Sequence, residues 1–356
     1  MFVLDSHCDT PSLILRLRDM SKDNDHAHVD FPKLARGKVD GAFFALYIPA
    51  RYDRDPDSGF AYAQRLLDGV RRSVEENSDA ASMCVSRRQA LENKADDRFS
   101  VFLGLENGSP IGHDMERLMW FHDAGVRYVT LCHSGHNQIC DSCAPAEGKW
   151  NGLSPFGKDM IREMNRIGML VDVSHISDAS FRDVLDVSTR PVVATHSCCR
   201  ALADHPRNMT DDMIRILADA SGVIQINFYP LFIDSHFKHT LLSSGIVDRG
   251  EVVESEFIAD PSNPARREAW NKIQDELQAL CRPSFKRIAD HIDHVVEIAG
   301  IDHVGIGSDF DGIEVTPDGL EDISMMPVLF EELRSRGYSE QDLAKIAGEN
   351  FFRILG

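Results

Sequence analysis

The stretch Val3-Leu4-Asp5-Ser6-His7-Cys8-Asp9-Thr10-Pro11 begins as a short apolar run and closes on His-Cys-Asp before a proline. In an extended strand, side chains two apart share a face, so His7 and Asp9 project together while Cys8 points away. An imidazole and a carboxylate side by side at a strand end can both ligate one divalent metal. A plain turn after an edge strand would read the same way. Recurrence gives the stretch its weight, because five more apolar strands downstream end in His, Glu or Asp.

Working outward, strand-length apolar runs lie at Phe2–His7, Asp40–Tyr47, Ser100–Leu105, Arg127–Cys132, Met169–Ser174, Pro191–Thr195, Gly222–Asn227 and His303–Gly307. Helical periodicity fills the gaps at Ala61–Glu76, Met115–Ala124, Gly157–Arg166, Asp178–Leu185, Asp211–Ala220 and, as one long segment, Pro264–Ala299. Strand–helix repeats with nearly continuous apolar strands describe a parallel sheet buried on both faces. Eight such units in 356 residues favour a closed (β/α)8 TIM-like barrel over an open sheet. Gly319–Gly337 and Ser339–Leu355 read as two C-terminal helices completing the outer ring.

With no linker, repeat or low-complexity tract, residues 1–356 read as one domain. Two departures stand out, a polar insertion at Ser21–Asp30 and a long, mostly irregular connection at Phe228–Asn263. The second is expected over the strand ends, where a lid belongs.

Composition narrows the function. A net charge of −19 repels phosphate backbones and anionic lipid, so nucleic acid and membrane are excluded as partners. No run approaches the ~20 apolar residues of a bilayer span, and the opening strand leaves no room for a signal peptide. Eight cysteines without a disulfide framework point to a reduced, cytoplasmic protein.

Chemistry gathers at the C-terminal strand ends, where barrel active sites are built. The first strand offers His7 and Asp9, the third Glu106, the fourth His133, the fifth His175, the sixth His196 and the eighth Asp309. Each alone could be a buried histidine bonded to backbone or a helix-capping aspartate. Seven ionisable groups at one mouth need partners, and a metal site supplies them.

These residues resemble the amidohydrolase superfamily and, more closely, its renal (membrane) dipeptidase family. The likeness runs through His7-Cys8-Asp9-Thr10-Pro11, Gly104-Leu105-Glu106-Asn107-Gly108, Asp172-Val173-Ser174-His175, Thr195-His196-Ser197, Arg207-Asn208 and Gly305-Ile306-Gly307-Ser308-Asp309-Phe310-Asp311-Gly312. The resemblance implies two zinc ions held by His7 and Asp9 on one side and His175 and His196 on the other, with Glu106 between them. Residue chemistry agrees on the bridge. The fourth strand carries no lysine to be carboxylated, and Glu106 is the available anion. A His/carboxylate set without thiolate suits zinc and tolerates manganese, cobalt or iron.

The activity implied is hydrolysis of a dipeptide (L-Xaa-L-Xaa or L-Xaa-D-Xaa) by a metal-bridging hydroxide. Asp309 would act as general base and then acid. His133, in the matching family position, would stabilise the oxyanion and touch substrate, its alternative being a weaker metal ligand. Arg207 matches the arginine that holds the dipeptide's C-terminal carboxylate; from the residues alone, an ion pair with Asp211 or Asp212 is an equal alternative. Rival functions are another amidohydrolase reaction, such as N-acyl amino acid hydrolysis or deamination, and a barrel that binds without turnover. Homodimers are common among such relatives and are compatible with this chain.

Other groups are set aside. Asp25-His26-Ala27-His28-Val29-Asp30 reads as solvated loop, His291 and His294 as a helix surface, and Cys140-Asp141-Ser142-Cys143 as half a metal motif. Asp311 reads as a residue that orders its loop.

Overall fold

The computed structural model describes residues 1–355. Eight parallel strands form the barrel: β1 (Leu4–Cys8), β2 (Gly41–Tyr47), β3 (Phe99–Glu106), β4 (Val126–Thr130), β5 (Leu170–Asp172), β6 (Val193–Ser197), β7 (Val223–Ile226) and β8 (Val304–Ile306). Each bonds to the next in chain order. Past the ends of β8 and β1 the circle is closed by Asp309 N donating to His7 O (3.0 Å) and Asp9 N donating to Phe310 O (2.8 Å). A short outer strand, Ala81–Met83, pairs with the beginning of β3.

The strands are mostly apolar because both faces are covered, and every residue of β3 is buried. Inside the barrel, Leu4, Phe43, Phe102, Tyr128, Leu170, Val193 and Val223 form one layer, joined by Phe351 and Phe352 of the last helix, Asn350–Leu355. The Phe43 ring stacks on Phe102 (centroids 4.8 Å apart) and meets Phe351 at 4.9 Å. One mouth is thus plugged with aromatics, and the polar chemistry is left to the other.

Several expected elements change. The segment 228–263 is largely helical, with Pro230–Ile233, Phe237–Ser243 and Ile246–Ala259. Its charges and prolines obscured the apolar pattern: Phe237, Leu241 and Ile246 bury against Ile273, Leu277 and Val315 in a small core of their own. The expected long helix at 264–299 is two, Pro264–Gln278 and Lys286–Ala299. Pro283 accounts for the break, since it lacks an amide donor and disfavours helix in the residue before it. Helices Phe31–Arg36 and Arg87–Ala95 were not anticipated. The final segment is kinked through a π turn, Lys345–Glu349.

Gly104 of β3 makes room for the Tyr128 ring, since a Cβ at this position would collide with the ring and its hydroxyl. Gly104→Ala should therefore cost about 1–3 kcal/mol of stability. Urea unfolding measured beside an exposed control such as Ala95→Ser checks this, and an unchanged midpoint would argue that the ring relocates freely.

Candidate metal centre

Parallel strands deliver their C-terminal ends to one mouth, and the chain then turns sharply outward. His175 (φ 69°), Asp309 (φ 65°) and Asn107 (φ 75°) take left-handed conformations just beyond β5, β8 and β3. Non-glycine residues tolerate this at a cost of order 1 kcal/mol each, and His, Asn and Asp are the types that do so most readily. His175 and Asp309 reach the central cluster from these turns, whereas Asn107 Nδ2 donates to Ile48 O (3.0 Å) and Asp53 Oδ1 (2.8 Å) and orders the loops beside it.

The sequence-predicted groups converge. The metal-ligating atoms of His7, Asp9 and Glu106 lie within 4.8 Å of one another, as do those of His7, His196 and Asp309, and those of Glu106, His133 and His175. Glu106 is central. Its Oε2 lies 3.4 Å from His7 Nε2, while its Oε1 lies 3.1 Å from His175 Nε2, 3.4 Å from His196 Nε2 and 3.9 Å from His133 Nε2. The Nε2 atoms of His175 and His196 face each other at 2.8 Å.

Outer contacts set these orientations. The Tyr128 hydroxyl meets His7 Nδ1 at 2.8 Å, and Thr195 Oγ1 meets His196 Nδ1 at 2.8 Å. Thr195 in turn donates to Asp172 Oδ2 (2.6 Å), which also accepts from Thr130 Oγ1 (2.5 Å). With each Nδ1 engaged, each Nε2 is directed at the centre. Asn227 Nδ2 donates to Asp309 Oδ2 at 2.8 Å.

Electrostatics mark the centre as short of positive charge. Burial pushes Asp9 up to about 7, with Glu106 adding to the rise. Burial likewise lifts Asp309 to about 7. Burial opposes a charged His7, but Glu106 and Asp9 outweigh it and hold His7 well above its ordinary value. Burial, reinforced by the Arg207 charge, lowers His133 to about 3 and drops His175 well below the ordinary value. His7 Nε2 and Asp9 Oδ1 are buried with no hydrogen-bond partner. An orphaned carboxylate oxygen, the neutral-leaning imidazoles of His133 and His175 and crowded carboxylates are the donor set that divalent cations satisfy, so these residues fit a metal.

Arg207 is 5% exposed and makes no ion pair with Asp211 or Asp212, which instead meet His294 and Arg215. Its Nη1 donates to Ser197 Oγ (2.8 Å), its Nη2 to His196 O (2.7 Å), and its Nε has no partner. His133 stands edge-on to Tyr47, ring centroids 4.9 Å apart, and is partly exposed.

Two set-aside groups read differently in the fold. His28 and its neighbours are not a solvated loop: Ala27, Val29 and Asp30 are buried, and His28 N donates to Asp311 Oδ1 (2.8 Å) while its Nδ1 accepts from Asp311 N (2.9 Å). The insertion folds back against the loop after β8, and Asp311 orders that contact. His291 is fully buried rather than on a surface, with Cys199 N donating to its Nδ1 at 3.0 Å. Only His294 is surface-like. Cys140 pairs with Leu153 in an isolated bridge, and Cys143 N donates to His175 O.

Reading the sequence missed the supporting residues Tyr128, Asn227, Asp172 and Asp5. Asp172 and Asp5 are both fully buried, and Ser308 N donates to Asp5 at 2.9 Å. A carboxylate inside an apolar strand was the available signal. Above the centre lies a cavity of about 760 Å³, lined by Asp9, Glu106, His133, His175 and Asp309 on the barrel side and by Tyr229, Phe232, Glu254, Phe257 and Trp270 opposite.

The model of the membrane dipeptidase family, peptidase family M19, matches residues 1–356. Dipeptidase aclJ of Aspergillus oryzae is 33% identical over 349 residues, 96% of this chain and 73% of that protein. Dipeptidase tcpJ of Claviceps purpurea is 32% identical over 92% of this chain and 68% of its own length. Among solved structures, the probable dipeptidase PvdM from Pseudomonas aeruginosa superposes with a TM-score of 0.82 at 26% identity, covering 100% of this chain and 95% of that one. A metallo peptidase from Rhodobacter sphaeroides, liganded with a phosphinate mimic of L-Ala-D-Ala, shares the fold with a TM-score of 0.80 at 24% identity, over 100% and 98% of the two chains. The whole-length family match, on a barrel whose strand ends gather these histidines and carboxylates, makes this chain a member of the membrane dipeptidase family and a hydrolase of peptide bonds.

Proposed function

We propose that the protein is a binuclear zinc dipeptidase that cleaves the peptide bond of L-Xaa-L-Xaa or L-Xaa-D-Xaa substrates. One observation carries the reading: the two oxygens of the Glu106 carboxylate face different imidazoles, Oε2 toward His7 and Oε1 toward His175 and His196. A carboxylate spread in that way is shaped to bridge two cations. His7 and Asp9 would hold one ion, and His175 and His196 the other. Family membership and the dipeptidase names of its relatives support the substrate class.

Bound metal would supply an acidified water and a Lewis acid for the scissile carbonyl. The protein's own groups do the rest. Asn227 engages Asp309 Oδ2, leaving Oδ1 to accept the attacking water's proton and deliver it to the leaving amine. His133, partly exposed to the cavity, donates to the oxyanion as it forms. Arg207 has donors to spare beyond its two protein bonds and grips the substrate's terminal carboxylate. The segment 228–263 contributes Tyr229, Phe232, Glu254 and Phe257 to the cavity wall and acts as its lid, within a single domain spanning 1–356. All eight cysteines are free thiols, which supports a cytoplasmic setting. Among the described residues, no helix is long and apolar enough to cross a membrane.

Three variants test these roles. Asp309→Asn should retain its metal, measured by elemental analysis, yet lose at least about a hundredfold in kcat; undiminished kcat would remove Asp309 from proton transfer. Arg207→Met should raise KM for free dipeptides about a hundredfold and leave C-terminally amidated ones little affected. Tyr128→Phe, which frees His7 Nδ1, should weaken metal retention against a chelator by roughly 10–100-fold.

A further inference from the structure

Beyond the centre, the loop after β8 presents an acid that neither the metal site nor the proton shuttle uses. Ile313 and Val315 are buried on either side of it, and Val315 is fixed in the small core shared with the lid helices. Glu314 lies between these two anchors, is exposed, and lines the substrate cavity. Surrounding atoms and the charges of Glu254 and Asp309 push its carboxyl up, while its own backbone and the neighbouring Tyr229 hydroxyl work the other way.

The other charges of the cavity are largely spoken for. Glu254 is paired with Arg16 at 3.4 Å. Arg18 stands 3.9 Å from Asp311, and Arg267 donates to Pro261 O. Among the described residues, no lysine or arginine lies within ion-pair distance of Glu314. Beside it, the wall is aromatic. Tyr229 packs edge-on to Phe232, ring centroids 4.9 Å apart, and Trp270 packs against the same small core. An aromatic wall ending in an unpaired carboxylate suits a long aliphatic stem with a positive tip. The stem buries on the rings while the charge meets the acid.

We infer that Glu314 is the residue selecting the substrate side chain, and that the cavity prefers dipeptides bearing lysine or arginine, whose stem lies along Tyr229, Phe232 and Trp270. This rests on the dipeptidase reading above.

The test uses the full-length, zinc-loaded protein with Lys-Ala, Arg-Ala, Ala-Lys, Ala-Ala and Glu-Ala, in L,L and L,D forms. At least one basic dipeptide should exceed Ala-Ala in kcat/KM by about tenfold or more, and Glu314→Gln should erase most of that ratio, chiefly through KM. Glu314→Arg should shift preference toward Glu-Ala, and its turnover of that substrate also reports that the variant folds. A wild-type protein indifferent to side-chain charge would overturn the inference. So would a Glu314→Gln variant that loses activity on every dipeptide equally, since the acid would then be holding the shared α-ammonium. If the zinc-loaded protein cleaves none of the dipeptides, the dipeptidase reading itself falls, and this inference with it.

Discussion

The Glu106 carboxylate is the interaction on which the rest of the structure turns. It ends the longest barrel strand, is almost fully buried, and faces imidazoles on both sides. A buried carboxylate is tolerated only where positive charge or donors surround it. Satisfying it requires His7, His175 and His196 to arrive from three other strands, and that in turn requires a closed cylinder. In an open sheet β1 and β6 would stand well apart, whereas here the rings of His7 and His196 lie 3.7 Å apart by centroid.

Support for the centre comes from beneath. Tyr128 belongs to the aromatic layer inside the barrel and also bonds His7, so one side chain ties hydrophobic packing to the orientation of the His7 ring. Asp172 does the same through hydrogen bonds alone, collecting Thr130, Thr195 and the backbone of Ser174 and so locking β4, β5 and β6 together. Left-handed backbone at His175 and Asp309 is sustained because both residues are held from several directions.

Much of this was legible in the chain. Barrel strands follow from continuous apolar runs, and His7, Glu106, His175, His196 and Asp309 follow from the rule that chemistry sits at strand ends. The supporting residues were harder to read. Tyr128 looks like ordinary strand filling, and its hydroxyl gains meaning only when β1 is brought beside it. The segment 228–263 was read as irregular because its prolines and charges interrupt the periodicity and one of its core partners, Val315, lies more than fifty residues away. His28 and His291 were misjudged for the same reason. Their partners, Asp311 and Cys199, are close only in space.

The seam of the cylinder has a consequence for how the molecule comes into being. The bonds that close it join His7 and Asp9 to Asp309 and Phe310, near opposite ends of the chain, and the Phe2 ring lies 5.2 Å from that of Phe352. During synthesis the first strand must therefore wait, unpaired along one edge, until the residues around Phe310 have emerged. Its histidine and aspartate reach their full company only at that last step. Until the residues around Asp309 and Phe310 have been made, the barrel has no seam and the centre lacks its eighth-strand carboxylate.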